Sequence, residues 1–175
     1  MKRIFLLLTA ALCLCACSST SPKALAEKAL LEDNGVAFTI TEMVPVDTCN
    51  LGLLIDKRLQ VYDQTIKVLS GPLFATADVA DQIEQAKFLK DELAELKKEL
   101  TKKLDSPAYI DYQFSAVPKV DTGVSYDNAY FSYAPLTKKL LGLGGKNSIH
   151  KYIDDAIPGF DKILEKAADL TKVEE

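Results

Sequence analysis

The feature that most constrains the fold of this chain is a pair of long amphipathic segments with helical periodicity, at residues 50–69 and 78–104. In each segment apolar residues recur at steps of three and four, which places them on one face of a helix. Ser70-Gly71-Pro72 ends the first segment, and the short connection predicts an antiparallel helical hairpin. The apolar positions are Leu51, Ile55, Leu59, Tyr62, Ile66 and Leu69 in the first helix and Val79, Ala86, Leu89, Leu93, Leu96 and Leu100 in the second.

Shorter segments alternate apolar and polar residues, which is typical of strands with one buried face. The first such strand begins near Val36 and is expected to fade at Pro45. A second is predicted over Ile110–Ala116, and a third over Ala129–Tyr133. The turn between the second and third strands is predicted at Asp121-Thr122-Gly123, because Gly123 can adopt the positive φ that such a turn needs.

Helices are also expected near both ends of the folded region. Residues 24–31 suit a helix that ends at Asp33-Asn34-Gly35. The C-terminal segment keeps one helical phase from Ile149 to Leu170, and Pro158 within it should kink or break the helix. Residues 136–143 fit either a fourth strand or a helical turn.

These elements predict a single α+β domain over residues 24–175. In this fold a small, mostly antiparallel sheet is packed by the helical hairpin and the C-terminal helix. Of the four cysteines, only Cys49 lies in the domain, so an internal disulfide has no second partner. Cys49 is expected to be buried as a small apolar residue, or else to be an exposed thiol for an intermolecular bridge.

The N-terminus has the three parts of a secretory signal. Lys2 and Arg3 provide positive charge, an apolar run follows from Ile4 to Leu14, and small residues come next. The run is shorter than the roughly 20 residues that a membrane-spanning helix needs.

At the end of this signal, Leu14-Cys15-Ala16-Cys17 resembles the lipobox of bacterial lipoproteins. Cys17 is the one early cysteine that follows a small residue with a leucine at the family's distance. The resemblance implies cleavage after Ala16, which makes residues 1–16 the signal peptide, and it implies diacylglycerol on the sulfur of Cys17. Residues 17–23 then form a lipidated N-terminus and a short tether. The alternatives are an ordinary signal peptide that ends near Ala16 and an uncleaved anchor.

The same resemblance implies a location outside the cytoplasm, with the chain held to a membrane by its N-terminal lipid. Ser18 stands where lipoproteins of the inner membrane typically carry aspartate. In a cell with two membranes, the expected place is therefore the outer membrane, facing the periplasm. Two or three acyl chains hold a protein durably, whereas one holds it weakly.

The net charge of the mature chain disfavours some classes of binding partner. Loss of Lys2 and Arg3 leaves 19 basic residues against 25 acidic ones, a net charge of −6 over 159 residues. This sign argues against a nucleic-acid partner and against electrostatic adhesion to anionic lipid.

Three motifs suggest chemistry but have simpler interpretations. Asp121-Thr122-Gly123 matches the triplet of aspartic proteases, although it equally suits a hairpin turn. The glycine-rich segment 142–148 lacks the first glycine and the Ser or Thr that a phosphate-binding loop needs. His150 could combine with Asp154 and Ser148 as base, orienting carboxylate and nucleophile, but a single histidine on an amphipathic helix usually faces solvent. We therefore expect neither catalysis nor a cofactor, and one His with one free Cys makes a metal site improbable.

Aromatic side chains in the predicted hairpin give the remaining candidate site. Tyr112, Phe114, Tyr130 and Tyr133 could line a ligand pocket between the sheet and the helices, since tyrosine pairs an apolar ring with a polar tip. The alternative is ordinary cross-strand packing. The leading expectation is a non-catalytic envelope lipoprotein that binds a protein partner or scaffolds an envelope complex, and a small-ligand-binding protein with this pocket is the alternative.

Overall fold

The computed structural model describes residues 21–72 and 76–170, and over these it shows four α-helices and one four-stranded antiparallel sheet. The predicted α+β class with a small antiparallel sheet is confirmed. The predicted signal peptide, Ala16, Cys17 and the tether up to residue 20 lie outside the described residues. None of the helices within 21–72 and 76–170 combines the length and apolar character that crossing a membrane requires.

The helices and strands alternate irregularly along the chain. The α-helices are α1 (Pro22–Asn34), α2 (Leu51–Leu69), α3 (Ala77–Glu99) and α4 (Phe160–Leu170), and the strands are β1 (Phe38–Asn50), β2 (Pro107–Pro118), β3 (Tyr126–Ala134) and β4 (Lys139–Gly144). Short 3-10 helices cover Thr101–Lys103 and Ile153–Ala156. The strands are ordered β1-β2-β3-β4, so β1 and β4 are the edges of the sheet. For residues 136–143 the sequence left two alternatives, and the structure has the strand. Residues 136–138 form a turn, and β4 begins at Lys139.

The described residues group into two compact units, and the chain passes between them several times. The sheet unit comprises residues 21–47, 110–134 and 138–152, and the helical unit comprises residues 48–72, 76–109, 135–137 and 153–170. The expectation of one domain over 24–175 stays a prediction.

The core of the sheet unit lies between one face of the sheet and α1. It contains Ala26 and Leu30 of α1, Phe38 and Ile40 of β1, Phe114 and Ala116 of β2, and Phe131 and Tyr133 of β3. Burial of each large apolar side chain contributes about 1.5–3 kcal/mol. The helix that covers this face is thus α1, to which sequence reasoning gave no role in the sheet.

Local sequence signals fix both ends of α1. The Ser21 hydroxyl accepts a hydrogen bond from the Ala24 N–H at 3.2 Å, and Pro22 occupies the first helical turn. Gly35 then adopts a φ of 69°, and its N–H donates to the Leu31 carbonyl. The predicted helix stop at Asp33-Asn34-Gly35 is confirmed.

Strand β1 is longer than the sequence predicts. It does not fade at Pro45 but continues to Asn50. Proline cannot donate to a strand ladder, yet an edge strand tolerates it because one side of the strand has no partner. The expectation was wrong because the sequence did not show that this strand is an edge.

The helical unit contains the predicted hairpin of α2 and α3. Asn50 caps α2 by accepting a hydrogen bond from the Leu53 N–H at 2.8 Å. Two ion pairs join the helices, Asp56 with Lys97 and Asp63 with Lys90, so a later residue of α2 pairs with an earlier residue of α3. This order confirms the antiparallel arrangement.

The predicted apolar faces point inward in this unit. Leu51 and Ile55 of α2 and Leu93 of α3 are fully buried. Helix α4 packs against α3 with Phe160, Ile163 and Ala167 buried. Cys49 is buried as a free thiol, as expected from its apolar alternative.

The C-terminal segment departs from the predicted continuous helix. Residues 145–152 form turns, and α4 begins only at Phe160, after Pro158 and Gly159. The break at Pro158 is confirmed, but the helix expected from Ile149 is wrong. Tertiary contacts decide the conformation there, since the Tyr152 N–H donates to the Leu141 carbonyl of β4 rather than to a helical neighbour.

Candidate functional site

The four aromatic candidates are divided between the two faces of the sheet. Phe114 is 1% exposed and Tyr133 is 9% exposed, and both belong to the core against α1. Tyr112 stacks on Phe131 with ring centroids 5.0 Å apart, and Phe114 lies 5.6 Å from the same ring. The rings therefore fill the space that a ligand between them would need, as in ordinary cross-strand packing.

Tyr130 faces the opposite side of the sheet, because successive residues of a strand alternate. Its cross-strand partner is Gln113, and the next pair on that side is Asp111 with Ser132. This second face is polar but not wholly exposed. Asp111 is 4% exposed and Ser132 is fully buried.

The buried Asp111 carboxylate is paired with His150, the single histidine of the chain. The His150 Nε2 atom lies 3.0 Å from both carboxylate oxygens, and its N–H donates to them. The imidazole is 39% exposed, whereas the aspartate side chain is 6% exposed. A buried carboxylate is costly without such a partner, so the pair fixes His150 against the sheet.

The turn that carries His150 is held closely against β4. A Cβ atom on Gly142 would lie 2.3 Å from the Ser148 carbonyl oxygen, so only glycine permits this approach. Ile149 is 3% exposed, and the Tyr152 N–H donates to the Leu141 carbonyl at 2.9 Å. The glycine-rich segment thus serves as a close-packing device.

The arrangement around His150 differs from the one drawn from sequence. His150 lies in a turn and pairs with Asp111, while Asp154 belongs to the helical unit and pairs there with Arg58. Ser132 lies across from Asp111, but its hydroxyl is buried and has no hydrogen-bond partner among residues 21–72 and 76–170. A nucleophile must reach its substrate, and the buried Ser132 hydroxyl does not. The hydrogen bond between Asp111 and His150 therefore orients the imidazole but does not activate Ser132.

A small pocket of about 200 Å³ adjoins the buried carboxylate. Its lining includes Asp111, Asp47, Tyr130 and Lys146, so both signs of charge face it. Tyr130 is the one aromatic candidate on this pocket. Within the described ranges, no three His, Cys, Asp or Glu side chains are placed to hold a metal ion.

The protease-like triplet is an exposed turn. The Asp121 carboxylate accepts a hydrogen bond from the Gly123 N–H at 3.1 Å, and Gly123 adopts a φ of 68°. These are the features of an Asx turn. The hairpin interpretation of this motif is confirmed.

The helical unit presents an apolar stripe on the outer side of α2. Leu53, Val61 and Val68 are 48%, 46% and 58% exposed. Their spacing of eight and seven residues keeps them within about 80° of one another around the helix axis. A groove of about 280 Å³ runs beside Val61 and Val68 and is also lined by Gln64, Thr65 and Leu69.

Charged residues around this stripe differ in their partners. Asp56 and Asp63 are engaged by lysines of α3, whereas Lys57 and Lys67 are exposed on α2 itself. The outer side of α2 is therefore locally basic, although the mature chain is acidic overall.

Comparison with models of protein families, with curated proteins and with solved structures finds no match to this chain. Its function has to be inferred from the geometry of its own residues.

Proposed function

We propose that this chain is a lipid-anchored protein of the bacterial cell envelope that binds a partner protein and is not an enzyme. The anchor rests on the lipobox resemblance at Cys17, which implies a membrane-bound, extracytoplasmic protein, in the outer membrane if the cell has two membranes. The binding function rests on the exposed stripe of α2.

The stripe formed by Leu53, Val61 and Val68 is the observation that carries the binding function. Single exposed apolar residues are common on protein surfaces, but these three share one helical face, and Val61 and Val68 also line a groove, which favours a docking surface. Such a groove suits the apolar side of an amphipathic helix. Because Lys57 lies between Leu53 and Val61 on this face and Lys67 lies beside it, the partner helix should carry acidic residues among its apolar ones.

Two observations support binding over catalysis. The buried Asp111 carboxylate is engaged by His150, and the buried Ser132 is out of reach of a substrate. The alternative of a ligand pocket lined by Tyr112, Phe114, Tyr130 and Tyr133 has weaker support, because the first two and Tyr133 lie in or against the packed core.

Photo-crosslinking in intact cells tests the docking surface. A photoreactive phenylalanine at Val68 should capture one defined protein, whereas the same residue at Val120, which is 67% exposed in the sheet unit, should not. Adding Lys57→Glu and Lys67→Glu should abolish the capture, because an acidic partner is then repelled. Equal capture from both positions, or capture that survives the charge reversal, would overturn the assignment of α2.

Fatty-acid labelling tests the anchor separately. Cells fed a clickable fatty acid should label the wild-type chain, and Cys17→Ser should lose the label. Cys13→Ala and Cys15→Ala are matched controls, since these residues leave with the signal and should retain labelling. Label on the Cys17→Ser protein would contradict the lipobox assignment.

A further inference from the structure

A second pocket, of about 510 Å³, lies within the sheet unit between α1, β4 and the turn 145–152. Its volume falls in the range typical of sites for small molecules, about 300–1,000 Å³. The apolar part of its lining consists of Ala29, Leu140 and Leu143. This site is independent of the stripe on α2.

The charge at the α1 side of the pocket is negative. Glu32 and Asp33 line it, and they stand in the last turn of α1, which contains no basic residue. The C-terminal end of a helix carries a partial negative charge, so two carboxylates there are unfavourable for the helix itself. Lys28 pairs with Glu32 from one turn earlier, 3.5 Å away, and a cation in the pocket would give these carboxylates a second partner.

The turn contributes Lys151 and Tyr152 to the same pocket. Tyr152 is 51% exposed, and the Lys151 ammonium lies 5.1 Å from the centre of its ring. An ammonium over an aromatic face is stabilised by the charge distribution of the ring. The protein thus already places one cation on the surface where a bound cation would be attracted.

The walls of the pocket are held before any ligand arrives. The close approach of the turn to Gly142, the hydrogen bond from Tyr152 to Leu141 and the buried pair of Asp111 with His150 all fix the turn against the sheet. A preformed site loses less entropy on binding than a mobile one.

We propose that this pocket binds a small organic amine with an apolar body. The apolar body packs on Leu140, Leu143 and the Tyr152 ring, and the ammonium faces Glu32 and Asp33. Lys151 competes for the same negative surface, so its removal should strengthen binding.

Tryptamine is a suitable probe, because the chain contains no tryptophan and the indole signal then comes from the probe alone. With the whole protein in detergent, and a detergent-only blank, the anisotropy of tryptamine should rise and saturate. Indole-3-propionate keeps the ring and replaces the amine by a carboxylate, and it should bind at least about tenfold more weakly. Equal binding of the two probes, or no saturable binding of tryptamine, would overturn the proposal.

Substitutions then locate the site. Glu32→Gln with Asp33→Asn should weaken tryptamine binding about threefold or more, whereas Lys151→Gln should strengthen it. These residues are exposed, so the fold should persist, which circular dichroism checks. Glu92→Gln, a carboxylate of the helical unit, is the matched control and should leave the affinity unchanged. Unchanged affinity in both the acidic double variant and the Lys151→Gln protein would exclude this pocket.

Discussion

Both units carry exposed ion pairs, but they differ in how deeply they bury a carboxylate. In the helical unit, ion pairs such as Asp56 with Lys97 lie at the surface, with the aspartate 57% exposed. In the sheet unit the side chain of Asp111 is 6% exposed and meets His150 beneath a closely packed turn. Each surface ion pair contributes only about 0–1 kcal/mol to folding stability. Removing one partner of a buried pair leaves the other group buried without a partner, which is more costly.

This difference indicates what holds each unit together. The helical unit depends on apolar burial along α3, and its exposed ion pairs should contribute little. The sheet unit depends in addition on one polar pair and one glycine contact, which fix the turn 145–152. The two units should therefore be sensitive to different kinds of substitution.

The largest expected effect is in the helical unit. Leu93 is fully buried, and Leu93→Ala should lower the free energy of unfolding by about 2–5 kcal/mol through lost burial and the cavity left behind. Glu92→Ala removes only an exposed contact with Lys166 and should stay within about 0.5 kcal/mol of wild type. Denaturant unfolding measures both, and similar small effects would show that α3 is not a core helix.

The next largest effect is expected at the buried Asp111–His150 pair, where the two single substitutions should differ in cost. His150→Ala leaves the Asp111 carboxylate buried without its donor and should cost about 1–3 kcal/mol. Asp111→Ala leaves an imidazole that is 39% exposed, where solvent can reach it, so it should cost less. A double-mutant cycle should give a coupling of about 1 kcal/mol. Equal losses from both single variants, with no coupling, would mean that the pair does not support the turn.

Two glycines near the turn make a comparable test of packing. Gly142→Ala must displace the Ser148 carbonyl and should cost about 1–3 kcal/mol. A Cβ atom on Gly145 would have no other atom within 4 Å, and the φ of Gly145 is not positive, so Gly145→Ala should stay within about 0.5 kcal/mol. Unfolding curves that do not separate the two variants would contradict the close approach of the turn to β4.

The smallest effect concerns alkaline pH. Burial and the nearby Asp154 carboxylate raise the pKa of Tyr62 above its ordinary value of 10.0, and the Arg58 guanidinium opposes the rise. The folded state thus holds the phenolic proton more tightly, so this stabilisation is complete below pH 10.0 and is lost as pH rises through the higher pKa. Tyr62→Phe should flatten the fall of unfolding free energy above that pH. An unchanged slope would contradict the environment assigned to Tyr62.

Sequence periodicity predicted the helical unit well, because its contacts are local and repeat at helical spacing. The hairpin of α2 and α3, its inward faces and the break at Pro158 all follow from residues that are neighbours along the chain. The pattern did not reveal that β1 continues through Pro45 as an edge strand, or that α1 covers the sheet. Both depend on contacts between distant segments.

The polar pair of the sheet unit could not be predicted for the same reason. Asp111 and His150 are 39 residues apart, and the alternation of β2 assigned Asp111 to the solvent side. The sequence suggested a different partner for His150. If the segment after Ile149 were helical, Asp154 would lie four residues from His150 on the same face. The aromatic candidates were chosen by residue type and by their place in the predicted hairpin. Neither criterion distinguishes a ring in a core from a ring in a pocket.

The two edges of the sheet have a consequence for a chain held at a membrane surface, as proposed here for Cys17. Confinement to two dimensions raises the frequency with which identical copies meet, and an open strand edge can then recruit a second copy into an extended sheet. Pro45 interrupts the row of N–H donors along β1, and on β4 the Leu141 carbonyl already accepts the Tyr152 N–H. Each edge therefore carries an interruption, which disfavours strand pairing between neighbouring copies.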